Sequence, residues 1–146
     1  MVETTISKLS TTEAALVESA RKATALSYSP YSHFRVGAAV LLANGEIVSG
    51  ANQENASYPV GICAERSTIA TAQNIHPQVP VIAIALAAKD CTGQLTQEVI
   101  TPCGMCRQAI AECEKRFQNK VKIIMTSCEN VVIAEGIGEL LPMAFA

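Results

Sequence analysis

Two short runs hold the residues whose types and spacing suit chemistry. Cys63-Ala64-Glu65 stands forty residues before the run Pro102-Cys103-Gly104-Met105-Cys106. Both fall where helices are predicted to begin. A Cys-x-x-Cys on the first turn of a helix directs two thiolates at one ion. A third thiolate, from a second helix start, completes three legs of a tetrahedron around zinc and leaves the fourth position for water. Glu65 follows Cys63 by two residues, and in mid-helix such side chains diverge by about 200°. They converge only if the metal lies beyond the helix N-terminus, close to its axis. Charge favours the same place, because three thiolates outweigh one Zn²⁺ and helix N-termini carry partial positive charge. Arg66 and Arg107, each directly after a run, are positioned to donate hydrogen bonds to thiolate sulfur, with Arg66 the more important. Without such compensation, electron-rich thiolates weaken the ability of zinc to acidify bound water.

Blander chemistry fits the same residues. A Cys-x-x-Cys also serves as a redox or core pair, and a closed structural zinc site needs a fourth ligand from Cys91, Cys113, Cys128, His33 or His76. Cys113 lies seven residues past Cys106, about 10 Å along a helix, too far to share a metal. Cys91 and Cys128 fall in predicted loops, where spacing leaves them open. We read Cys91, Cys113 and Cys128 as ordinary non-ligand thiols.

The elements that must position these groups follow from local patterns. Ser10-Thr11-Thr12-Glu13 matches a capping box, and Leu16, Ala20, Ala23 and Leu26 recur at helical spacing, which predicts a helix over 11–27. Beyond the turn residues Ser29-Pro30-Tyr31-Ser32, strands are predicted over Val36–Leu42 and Glu46–Gly50. Asn44-Gly45 joins them and suits a type I′ hairpin turn. A second helix runs from Cys63 to about Asn74. Val81–Ala87 reads as a strand apolar on both faces, as a central strand covered on each side must be. The third helix starts near Pro102–Gly104, with Ile110, Cys113 and Phe117 on one face. Strands at Val121–Thr126 and Val131–Ala134 are joined by a connection too short for a crossover, so they pair antiparallel. Gly138–Leu141 reads as a helical turn stopped by Pro142. The expected fold is α/β, in three layers, with helices flanking a five-stranded mixed sheet.

Composition bounds the rest. The 146 residues fit one domain spanning 1–146, and 49% apolar against 16% charged argues for a folded core. So low a charge density also suits a chain with surface hidden against partner subunits. The balance of 11 basic to 13 acidic residues, with no basic block, disfavours nucleic-acid binding. The longest apolar run, Val79–Ala88, is about half a membrane span and is interrupted by Pro80. The N-terminal residues lack a charged-then-apolar leader, so the expected location is the cytoplasm. Six cysteines in a reducing compartment bind metal or sit in the core rather than pair.

Taken with the blocks around them, the cysteine runs resemble the small, homotetrameric, zinc-dependent cytidine deaminases. The matching blocks are Tyr28-Ser29-Pro30-Tyr31-Ser32, Phe34, Val36-Gly37-Ala38, Asn52 through Tyr58, Cys63 through Arg66, Pro102 through Gln108, Leu140-Leu141-Pro142 and Phe145. Their order and spacing agree over nearly the whole chain. The resemblance implies hydrolytic deamination of cytidine and deoxycytidine in pyrimidine salvage, with one Zn²⁺ per chain on Cys63, Cys103 and Cys106. Water activated on the metal would attack C4, ammonia would leave, and Glu65 would move the protons among water, N3 and the departing amine. The Thr101 carbonyl and backbone near Ala64 would read the base edge, and Phe34 would pack on base or ribose. Asn52 and Glu54, on the same side of an extended segment, would bind the ribose. Tyr58 and Phe145 would reach a neighbouring subunit's site, Phe145 stacking on the pyrimidine. With aromatic residues at 4%, a Phe two places from the end is hard to explain as monomer core, which supports shared sites.

Arg35, Met105 and Met143 depart from the commoner family residues, and none touches the expected chemistry. Three rival readings remain at this point. A same-fold deaminase could act on another small aminopyrimidine, such as a cytosine-containing antibiotic. Polynucleotide editing conflicts with the acidic balance, and a zinc-stabilised interaction module requires four protein ligands.

Overall fold

In a computed structural model, which describes residues 1–146, the first helix, α1 (Thr11–Ala23), begins where the capping box predicts. Ser10 Oγ accepts from the Glu13 amide at 3.2 Å, and the Glu13 carboxylate accepts from the Ser10 amide at 3.0 Å. The expected last turn is instead a 3₁₀ turn over Thr24–Leu26. There the Thr24 hydroxyl donates back to the Arg21 carbonyl at 2.7 Å, a local bond that competes with continued α geometry.

The sheet has six strands, not the five expected. They are β1 (Val2–Thr5), β2 (Arg35–Leu42), β3 (Ile47–Ala51), β4 (Val81–Lys89), β5 (Lys122–Thr126) and β6 (Asn130–Ala134), in the order β1-β6-β5-β4-β2-β3. The added strand, Val-Glu-Thr-Thr, is too short to show a period. Its conformation comes from antiparallel pairing with β6, from Val2 opposite Ile133 to Thr5 opposite Asn130. Only β4 and β5 pair parallel, and β5 and β6 form the expected antiparallel pair.

The β2–β3 connection also differs from expectation. Gly45 has φ +87°, but Asn44 is not left-handed, so the turn is not type I′. The Gly45 amide bonds the Leu42 carbonyl and the Leu42 amide bonds the Glu46 carbonyl, both at 2.9 Å. This is a longer hairpin loop in which only the glycine needs positive φ. Asn44 spends its side-chain oxygen on the Glu46 amide at 3.0 Å.

β4 is buried on both faces. Ala83, Ala85 and Ala87 meet Leu16, Val17 and Ala20 of α1, while Ile84 and Leu86 belong to the opposite core with Ile69, Ile110 and Ile123. That second core lies beneath α2 (Ala64–Ile75) and α3 (Gly104–Phe117). One helix covers one face and two cover the other, giving the expected three layers. The C-terminal 3₁₀ turn is Ile137–Glu139, one residue earlier than expected. No helix is long and apolar enough to cross a membrane.

Candidate active site

Cys63 and Cys103 occupy equivalent positions as the N-cap residues of α2 and α3, and neither side chain caps its helix. Cys106, in the first turn of α3, is fully buried. Cys63 and Cys103 Sγ are 3.8 Å apart, Cys103 and Cys106 Sγ are 3.5 Å apart, and all three sulfurs lie within 4.8 Å of one another. Tetrahedral zinc, with Zn–S near 2.3 Å, holds its sulfurs roughly 3.8 Å apart, so the donor set fits that metal. No fourth His, Cys, Asp or Glu donor joins the trio. Cys91 is exposed on a loop, Cys128 donates to Gln97 Oε1, and buried Cys113 accepts from Gln73 Nε2. Burial pushes the Cys113 thiol up to about 11.

Charge in the trio is divided unequally. The Cys63 thiol is drawn down to about 5, first by hydrogen bonding from Cys106 and then by Cys103 and Arg66 acting against burial. Cys106 is driven the other way by its role as donor to Cys63, by burial and by Glu65. Glu65, in the first turn of α2, is only 5% exposed. Burial raises its pKa, its own amide opposes the rise, and the Cys63 thiolate adds to it.

The two arginines behave differently from one another. The Arg66 guanidinium is near enough to Cys63 to favour the thiolate, yet its buried Nε has no hydrogen-bond partner. Arg107 does not serve the sulfurs as expected. Its Nε donates to the Pro102 carbonyl at 2.9 Å and its Nη1 to the Leu140 carbonyl at 3.2 Å. It straps the C-terminal turn to the loop entering α3. Adjacency to Cys106 in sequence suggests a thiolate partner, whereas Leu140, 33 positions away, leaves no local signal.

A cavity of about 320 Å³ opens above this cluster, lined by Cys63, Ala64, Glu65, Thr101 and Cys103 together with Phe34, Val36, Asn52, Glu54, Ile62 and Ile100. Asn52 and Glu54 are both engaged with the protein. Asn52 Oδ1 accepts from Ser27 Oγ at 2.6 Å and from the Val36 amide at 2.9 Å, while Nδ2 donates to the Phe34 carbonyl at 3.0 Å. One Nδ2 hydrogen is left to offer a ligand. Glu54 Oε1 accepts from the amides of Tyr31 and Ser32 at 3.0 and 3.1 Å, and Oε2 accepts from the Ser32 hydroxyl. These donors, the Ser32 hydroxyl foremost, hold its carboxyl below the usual range. In the sequence Ser32 stands as a turn residue and as part of the Tyr28–Ser32 block; its contact with Glu54 spans 22 positions and leaves no local signal.

Tyr58 and Phe145 stand outside this cavity. Tyr58 is 75% exposed and packs edge-on against Tyr31 beside a second cavity that shares Glu54 and Gly61 with the first. Phe145 is 86% exposed, held only through its carbonyl by Gln108 Nε2 at 2.8 Å.

Residues 10–125 match the family model described as the cytidine and deoxycytidylate deaminase zinc-binding region. A cytidine deaminase from Halalkalibacterium halodurans is 37% identical over 130 residues, covering 89% of this chain and 91% of that protein. The crystal structure of a cytidine deaminase from Burkholderia pseudomallei superposes with a TM-score of 0.78 at 36% identity, covering 90% of this chain and 97% of that one. A blasticidin-S deaminase from Bacillus cereus is 28% identical over 123 residues, covering 80% of this chain and 86% of that protein.

Proposed function

The chain belongs to the cytidine and deoxycytidylate deaminase zinc-binding family, and on that premise we propose that residues 1–146 form one catalytic domain that hydrolyses cytidine and deoxycytidine to uridine, deoxyuridine and ammonia. The observation that carries this reading is the buried carboxyl group of Glu65 beside three converging sulfurs, with Glu65, Cys63 and Cys103 lining an open cavity and Cys106 buried behind them. Cys63, Cys103 and Cys106 would hold one zinc per chain, which when bound would supply Lewis-acid activation of a water.

Glu65 takes a proton from the attacking water and delivers it to N3 as the new oxygen–C4 bond forms. It then carries the remaining proton from the new C4 hydroxyl to the amine as the C4–N4 bond breaks, so a carbonyl oxygen replaces nitrogen and ammonia leaves. A carboxylate whose burial favours its protonated form is suited to hold a proton between those steps. Thr101, Ala64 and Phe34 line the cavity; in this reading the carbonyl of the first and the backbone of the second face the base edge, and Phe34 is a wall. Asn52 offers its remaining N–H, and Glu54 its remaining lone pairs, to ribose hydroxyls. Arg66 balances thiolate charge.

Tyr58 and Phe145, both exposed on their own chain, complete a neighbour's site in a homotetramer. No Lys or Arg lines the cavity, which favours a free nucleoside over a phosphate-bearing polymer. Six unpaired thiols suit the cytoplasm. The alternative, another small aminopyrimidine such as a nucleoside antibiotic, has the weaker support, since the blasticidin-S deaminase is 28% identical against 37% for the cytidine deaminase from Halalkalibacterium halodurans.

The test is ammonia release from cytidine by zinc-loaded protein, beside a Glu65→Ala variant of verified zinc content. A parent that turns over and a variant slowed by about 10³-fold or more, as loss of a positioned acid–base group implies, support the assignment. An inactive parent holding its zinc sinks it.

A further inference from the structure

The loop carrying Phe34 is bonded on both sides by the residues assigned to the ribose. The Phe34 carbonyl accepts from Asn52 Nδ2, and the Phe34 amide donates to Ser32 Oγ at 3.0 Å. The same Ser32 hydroxyl gives its proton to Glu54 Oε2, and the Ser32 amide donates to Glu54 Oε1. One oxygen therefore joins a cavity wall to a cavity carboxylate. Between the two, His33 lies in the left-handed region at φ +55°. For a residue with a β-carbon this conformation costs energy and persists where the surroundings hold it. The holding bonds are those of Ser32 and Glu54, together with the His33 amide on the Ser29 carbonyl at 3.0 Å.

We propose that Ser32 is a positioning residue for substrate binding, fixing the Glu54 carboxylate and the Phe34 wall in one geometry through a single hydroxyl. This rests on the deaminase reading for the identity of the ligand. Ser32 touches no reacting atom, so it acts on ground and transition states alike, raising affinity and leaving the chemical step alone. The hydroxyl is one donor to a charged acceptor, and losing such a bond weakens binding by about tenfold or somewhat more.

The experiment is a double-mutant cycle on the zinc-loaded full chain with cytidine, using Ser32→Ala, Glu54→Ala and both together, with Ser32→Thr as the conservative control. The expected result is a KM raised about tenfold in Ser32→Ala with kcat within threefold, and restoration by Ser32→Thr. In the Glu54→Ala background the Ser32 change then raises KM by clearly less than tenfold, because the carboxylate it fixes is gone and only the bond from the Phe34 amide remains to be lost. Unchanged KM, no rescue by threonine, or effects that multiply independently would overturn the inference. The parent's own turnover of cytidine checks the deaminase reading separately. Uridine dissociation constants by calorimetry carry the same ratios without turnover, so an active parent with unaltered ratios removes the Ser32 inference alone.

Discussion

Asn52 makes three bonds to the protein, lines the cavity and keeps one N–H without a protein partner, so structural and binding roles can be separated by substitution. Asn52→Ala strips partners from the Val36 amide, the Phe34 carbonyl and the Ser27 hydroxyl. The Val36 amide is part-buried within β2 and, left unpaired, costs about 1–3 kcal/mol. The carbonyl and hydroxyl turn to water and lose roughly 0.5 kcal/mol each. The total, about 2–4 kcal/mol, corresponds to a fall in Tm of roughly 5–15 °C for a chain of this size. Asn52→Asp keeps both acceptor bonds but loses the donor to Phe34 and sets a carboxylate oxygen against that carbonyl, together about 1 kcal/mol and a fall of roughly 3 °C. Both variants lack the free N–H, so both raise KM for cytidine by about tenfold, the worth of roughly 1.4 kcal/mol. Thermal melts and steady-state kinetics on the two proteins side by side are the assay. An aspartate variant that melts as low as the alanine variant refutes the assignment of stability to Oδ1. Unchanged KM in either refutes the ligand contact.

Two further predictions concern the frame around the site. A Cβ built at Gly37 meets the Ala20 carbonyl oxygen at 2.0 Å and the Thr24 nitrogen at 2.8 Å, both backbone atoms that cannot rotate away. Gly37→Ala is therefore expected to cost about 3 kcal/mol or more and to lower Tm by at least roughly 6 °C, whereas Gly138→Ala, with open space, changes it little; equal melts for the two would end this argument. Glu13 is held below the ordinary carboxylate range, first by the Ser10 amide and then, against the opposing effect of burial, by Lys122. Its folded pKa lies under its unfolded one, so its charge contributes stability above pH ~4.5 that is lost as pH falls through the folded value. In urea titrations Glu13→Gln should trail the parent near pH 7 by less than about 1 kcal/mol and converge with it as pH falls through the folded value, and a gap independent of pH contradicts the linkage.

What could be read from sequence was whatever acts within a turn or two. The Ser10–Glu13 box starts α1 because both of its bonds span three residues. The alternation-free apolar run of β4 identifies a strand covered on two faces without knowledge of its partners. Beyond that range the signal fails for definite reasons. β1 is a strand because Ile133 and its neighbours lie opposite it, not because Val-Glu-Thr-Thr prefers extension. The turn at Asn44-Gly45 took a longer form because Asn44 found the Glu46 amide and so needed no positive φ. Arg107 and Ser32 have partners 33 and 22 positions away, and no spacing rule announces either.

The convergence of Cys63 with Cys103 follows from topology more than from either motif. β3 and β4 are both antiparallel to β2, so they run the same way, and β5 runs parallel to β4. The carboxyl ends of β3 and β4 therefore lie at one edge of the sheet, and the helices that follow, α2 and α3, begin there. Along the order β5-β4-β2-β3 the chain steps from β3 across β2 to β4 and then on to β5, always in one direction. Right-handed crossovers taken in one direction stack their helices on one face. Had the second step reversed, α3 would share a face with α1, and a whole sheet layer would stand between the two cysteine runs. The forty residues separating Cys63 from Cys103 are thus one helix, one strand and their connections, the length of a crossover unit. Two N-termini brought side by side at the carboxyl edge also gather the partial positive charge that a cluster of thiolates requires, so the fold supplies position and electrostatics by the same step.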